Sequence, residues 1–149
     1  MRNMTSGVLA GVAGAMAMAA TMVLGRKAGL LHQTLDQDSE EWLDRDFDAR
    51  RHLGDVGTTA VEQSNHLAAG TAFGALYSQR PETRLPSVLA GALYGAAGLY
   101  TVNIAVAAPV LGITDGEHKA PLAQALERFG LHVMFGVVTA LGVDALRKR

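Results

Sequence analysis

The chain has 149 residues, a length that suits one domain, and only 18% of them are charged, against about 25% in an average soluble domain. The 13 basic and 14 acidic residues leave a net charge of -1, which excludes the basic surface of a nucleic-acid binder. The absence of cysteine excludes disulfides, thiolate metal sites and cysteine nucleophiles.

The charges are unevenly placed. Positions 3–25, 63–79, 85–114 and 129–143 carry none, and a membrane-spanning helix needs about 20 mostly apolar residues. The first window predicts a span over 5–25. Arg2, the apolar run and Ala17-Met18-Ala19 imitate a cleaved secretory signal. The length of the run and the Arg26-Lys27 flank favour a retained helix instead. Gly7 and Gly11 share one helix face, which lets backbones approach closely in lipid.

An acidic loop follows over 26–59. Asp38 to Glu41 reads as a helix start, with Asp38 and Glu41 in capping-box spacing. Trp42, Leu43, Phe47 and Leu53 form a broken apolar stripe, ended by Gly54. The segment is either an acidic amphipathic helix lying at the membrane interface or a solvated connector that covers the bundle.

The second span is expected over 60–79, with Thr59 capping and Glu62 three residues on. Gly70 and Gly74 repeat the four-residue spacing, as do Gly91 and Gly95 in the third span, 86–111. Pro109 is placed to kink the end of that helix. The fourth span, 121–146, takes Pro121 in its first turn, and Arg128 and Asp144 are expected to snorkel toward headgroups. The fold class is therefore all-α: a single integral domain, 1–149, forming a four-helix transmembrane bundle with a partly helical acidic loop between helices 1 and 2. A soluble bundle is the weaker alternative, because it disfavours so much helical glycine and would show charged outer faces. The glycine faces also suggest a homo-oligomer in the lipid bilayer.

Four spans put both termini on one side. A cytoplasmic assignment places Arg2, Arg80, Arg84, Arg147, Lys148 and Arg149 inside, opposed by Glu82 and Asp144. The tight 80–84 turn and the basic tail favour this orientation under the positive-inside rule, while Arg26-Lys27 oppose it. Tyr77 and Tyr94, flanking the turn, read as interfacial aromatics.

Polar groups inside spans are expensive and often mark function. His66 lies four residues after Glu62, and His132 five after Glu127, and each histidine has a glycine four residues on, Gly70 and Gly136. This hints at a duplicated hairpin: a glycine-rich helix followed by a helix with an outer histidine and a deeper glycine. At about 1.5 Å per residue, Asn103 stands roughly 25 Å from Pro86, in the outer third of the membrane. Asn65, His66, Asn103 and His132 are thus expected in one outer-leaflet polar layer, with Glu62 and Glu127 just above. Three readings compete: interhelical hydrogen bonding, a proton-handling site, and a metal site. The spacings of four and five disfavour the last, because bundle metal sites place ligands three apart. Asp115, Glu117 and His118 form another polar group in a loop, and His32 and His52 read as surface residues. No nucleophile elbow, phosphate loop or dinucleotide fingerprint occurs, so neither an enzyme nor a cofactor is expected.

The stretches Ser87-Val-Leu-Ala-Gly-Ala-Leu93, Ala108-Pro-Val-Leu-Gly-Ile-Thr114 and Glu127-Arg-Phe-Gly-Leu-His132, with the tail Arg147-Lys148-Arg149, resemble the YagU-like family of small bacterial inner-membrane proteins. His66 with Phe73 and Tyr77 is similar to the family's second helix. The resemblance covers residues 6–25 and 64–149, leaves out the acidic loop, and departs at Asn103, near where the family carries a histidine. It implies location and topology, and a non-enzymatic membrane component tied to envelope or stress physiology. A small transporter or channel subunit handling protons or a cation is the alternative.

Overall fold

The computed structural model describes residues 4–81 and 83–148. Arg2, Glu82 and Arg149, used above to argue orientation, lie outside the described residues. The fold is all-helical, with five helices: α1 (Met4–Lys27), α2 (Leu35–Phe47), α3 (Ala49–Gln79), α4 (Ser87–Val110) and α5 (Leu122–Arg147). Three of them, α1, α4 and α5, are long and apolar enough to cross a membrane.

Most of the differences from the expected boundaries are local. The acidic segment starts its helix at Leu35, because Thr34 and Gln37 form the capping box in place of Asp38 and Glu41. It ends at Phe47, where Asp48 takes a left-handed conformation (φ 51°). Gly54 does not end this helix. It sits inside α3 at φ 71° and ψ 175°, a conformation that glycine reaches without a Cβ penalty, and it bends the helix there. Thr59 therefore lies within α3 and caps nothing. Pro121 precedes the first turn of α5 instead of lying within it. Within α4, residues Tyr94–Ala107 are wound as a π-helix, so Asn103 rises less from Pro86 than an α-helix would carry it.

The long helices stand in the order α3, α1, α5, α4, each packed on the next. Glycine makes these seams close. A Cβ on Gly7 would meet the Gly74 carbonyl at 2.5 Å, and one on Gly11 would collide with the Gly70 carbonyl. The α4–α5 seam repeats the device: a Cβ on Gly91 would meet the Gly136 carbonyl at 2.5 Å, and one on Gly95 would collide with the His132 carbonyl. In these contacts Gly136 and His132 of α5 take the places that Gly74 and Gly70 hold on α3, so the two histidines stand one turn apart in the comparison rather than in register. All six glycines expected to drive packing are engaged within the chain, so they offer no free face for self-association.

On α1 the small residues lie mostly inside, and on α1 and α4 many large apolar ones lie outside. Ser6, Gly7, Ala10, Gly11, Gly14 and Ala15 are buried on α1, while Leu9, Met16, Val23 and Leu24 are exposed. On α4, Val88, Leu89, Leu93, Val102 and Val106 face outward. Water would favour the opposite arrangement. A bilayer favours this one, because lipid already solvates the large side chains and small residues maximise backbone contact.

The turn end is tied by an Asp144–Ser87 hydrogen bond and by Arg147 donating to the Ser78 carbonyl at 2.9 Å. Tyr77 and Tyr94 turn toward each other inside the chain. Tyr77 is 1% exposed, the rings stack edge-on at 5.0 Å, and the Tyr94 hydroxyl donates to the Phe73 carbonyl at 2.8 Å, joining α3 to α4.

Candidate functional site

Beyond that aromatic contact α3 and α4 diverge and leave a cavity of about 390 Å³, lined from all five helices. Met18 and Met22 of α1, Phe73 of α3, Leu99 of α4 and Phe135 of α5 form its apolar wall. Asn65, Ala69 and Leu111 line it and are themselves exposed, so it opens sideways between α3 and α4.

Of the six residues expected in one polar layer, Glu62, Asn65, His66, Asn103 and His132 all line this cavity. Glu127 does not. Its carboxylate accepts from the backbone N–H of His32 at 3.0 Å and contacts His32 Nδ1 at 2.7 Å, outside the bundle. His32, read as a free surface residue, is thereby a tether. The loop group is dispersed as well: Asp115 pairs with Lys119 at 3.8 Å, and Glu117 accepts from Arg128 and from the Tyr100 hydroxyl, each at 2.7 Å. Among the described residues no group of three or more His, Cys, Asp or Glu could hold a metal ion.

Both cavity histidines use one ring nitrogen on a backbone carbonyl. His66 Nε2 lies 3.2 Å from the Ala15 carbonyl, and His132 Nδ1 lies 2.8 Å from the Arg128 carbonyl. A carbonyl oxygen only accepts, so each of these nitrogens carries the hydrogen. The neutral rings are then opposite tautomers, with His66 Nδ1 and His132 Nε2 left as acceptors. Glu62 is 5% exposed and accepts from Gln63 Nε2 at 2.6 Å, with no ion-pair partner among the described residues. No Lys or Arg lines the cavity.

The acidic segment covers the bundle and is pinned to it by ion pairs. Leu35, Asp36, Ser39, Trp42 and Leu43 of α2 close the cavity on the side away from the 80–86 turn. Three cationic residues hold it there. Arg26 pairs with Asp36 at 2.9 Å and donates to Thr34, Arg45 donates to the Gly112 carbonyl at 2.8 Å, and Arg128 pairs with Asp38 at 2.5 Å. Arg128 does not snorkel: it is 5% exposed and bridges Asp38 to Glu117. Burial raises the Asp38 carboxyl above the ordinary aspartate range, with the Arg128 charge opposing that rise.

The sequence pattern pointed to the five cavity residues because each is a polar group in an uncharged run. It missed Arg128, Asp38 and Asp36, since an exposed charge and a buried, paired one look alike until the partner is placed. The apolar wall carried no signal either, as Met18, Phe73 and Phe135 resemble any other span residue. No family model, no curated protein and no solved structure matches the chain.

Proposed function

We propose that the chain is a four-span protein of a bacterial plasma membrane, of the YagU-like kind. Both termini are cytoplasmic, and the chain handles a cationic solute or proton in the α3–α4 cavity without catalysing a reaction on it. One observation carries this reading: five polar side chains from three spans converge on an apolar, laterally open cavity whose lining holds carboxyl groups and no basic side chain apart from its two histidines. Buried polar groups within a bilayer are costly and accumulate where ions or protons are handled. From Asp55 onward α3 is long enough for the fourth span, and from Gln63 to Gln79 it carries no charge.

Reporter fusions after residues 30, 55, 82, 118 and 149 test the topology, with 30, 55 and 118 expected outside and 82 and 149 inside. Residues 82 and 149 on opposite sides would end the four-span reading. Reconstituted protein is expected to carry methylammonium or proton flux across liposomes, and His66→Gln with His132→Gln to abolish it. A second reading is favoured by the His66 hydrogen bond to the Ala15 carbonyl, which joins α3 to α1: the layer only fixes helix register. In that case the same double variant lowers stability and changes no flux.

A further inference from the structure

We propose that the α3–α4 cavity binds a primary ammonium group carried on an apolar chain, with Glu62 as its counter-ion and the chain lying along the Met18–Phe135 wall. The inference rests on reading the cavity as a solute site and adds the class of solute.

The charge balance selects a cation. Two carboxylates line the cavity, and one of them, Asp36, is neutralised by Arg26. Glu62 remains, almost fully buried and without an ion-pair partner among the described residues. A carboxylate so placed repels phosphate and carboxylate ligands and attracts a cation.

The hydrogen-bonding inventory selects a cation with N–H donors. His66 and His132 each give their one N–H to a carbonyl, which leaves two imidazole acceptors. The side-chain carbonyls of Asn65 and Asn103 add two more, beside their own amide donors, and no donor among the described residues engages either side chain. A primary ammonium supplies three donors to such a set, whereas a quaternary ammonium supplies none. A bare metal ion would need ligands converging at short range, which the described residues lack.

The remaining lining selects an apolar body. Met18, Met22, Phe73, Leu99 and Phe135 offer flexible and aromatic surface, and 390 Å³ accommodates a small molecule. The lateral opening at Asn65, Ala69 and Leu111 faces the surroundings of α3 and α4, so an amphiphile already in the bilayer reaches the cavity without crossing water.

Trp42 is the only tryptophan and it lines the cavity, so its fluorescence reports occupancy. The full chain in phosphatidylcholine nanodiscs is titrated with n-octylammonium, n-octyltrimethylammonium and n-octanol. Saturable change is expected with octylammonium at concentrations about tenfold below any response to the other two, and Glu62→Gln should weaken it about tenfold or more, as loss of a charge-assisted bond implies. Should Glu62→Gln not fold, Ala69→Phe, which fills the mouth from an exposed position, is expected to abolish the response while helix content is kept. Equal responses to the three probes, or an octylammonium response unchanged by both variants, would overturn the proposal. Discs containing phosphatidylethanolamine separate the sources: loss of the octylammonium response there identifies the lipid headgroup as the ammonium donor, and an unchanged response identifies a free amine. If octylammonium fails while the flux remains sensitive to His66 and His132, the solute class falls and the cavity reading stands. If both fail, both fall.

Discussion

Two seams of this molecule occupy equivalent places and are built differently. The chain falls into halves, α1 with α3 and α4 with α5, each closed by glycines that admit a neighbouring carbonyl. Exchanging the halves maps the α1–α5 seam onto the α3–α4 seam. The first is packed along its length: a Cβ on Gly14 would meet Thr139 Oγ1 at 2.7 Å, one on Gly142 would meet the Ala10 Cβ at 2.9 Å, and Ala15, Met18 and Met22 pack with Leu131 and Phe135. The second is joined by Tyr77, Tyr94 and the Phe73 carbonyl at the turn end, and is open beyond them. Small residues let the first seam close, while two tyrosine rings bridge the second at its turn end. Two glycine-closed hairpins therefore leave one filled seam and one cavity, and polar residues of both halves line the cavity.

The contrast is sharpest in what each seam tolerates. Gly11→Leu at the α1–α3 contact must displace the backbone of Gly70 and Gly74. Arg128→Met leaves Asp38 and Glu117 buried without their cation, and should cost about 3–5 kcal/mol, the usual penalty for breaking a buried pair. Gly11→Leu should cost about 3 kcal/mol from overpacking alone, whereas Ala69→Leu at the open seam should stay within about 0.5 kcal/mol, as exposed substitutions do. Unfolding in mixed micelles, followed by circular dichroism, measures all three. Equal tolerance at Gly11 and Ala69 would erase the distinction between closed and open seams.

Tyr94→Phe removes the hydrogen bond to the Phe73 carbonyl and should cost about 0.6–1 kcal/mol. Because the chain has no cysteine, an Ala69→Cys thiol can be labelled uniquely. Its modification should quicken in the Tyr94→Phe background if that tyrosine ties α3 to α4, and an unchanged rate would show that it does not.

The smallest effect concerns the lid. Burial raises the Asp38 carboxyl, so the folded chain takes up this proton at a higher pH than the unfolded chain does. Between the raised and the ordinary aspartate values the folded state binds more protons, and falling pH therefore stabilises it through this group. Asp38→Asn should remove that slope, with Arg128 still paired to Glu117. A pH series of micellar unfolding on both proteins checks the sign.

The uncharged runs and their glycine spacing were enough, as sequence, to set the helical class, the glycine pairs that share a helix face, and three of the four expected spans as helices long and apolar enough to cross a membrane. Each is a local property: length against bilayer thickness, and a four-residue repeat against the turn of a helix. His66, Asn103 and His132 were legible as candidates for the same reason, since polarity within an apolar run needs no partner to be noticed. Tertiary structure alone decided which charged residues pair. It drew Glu127 outward to His32, turned Arg128 inward between Asp38 and Glu117, and set α2 over the cavity with Trp42 and Leu43 against it. It also decided that one of two like seams stays open. Pairing of distant charges and the fit of one helix to another depend on contacts between segments far apart in the chain, which no local pattern encodes.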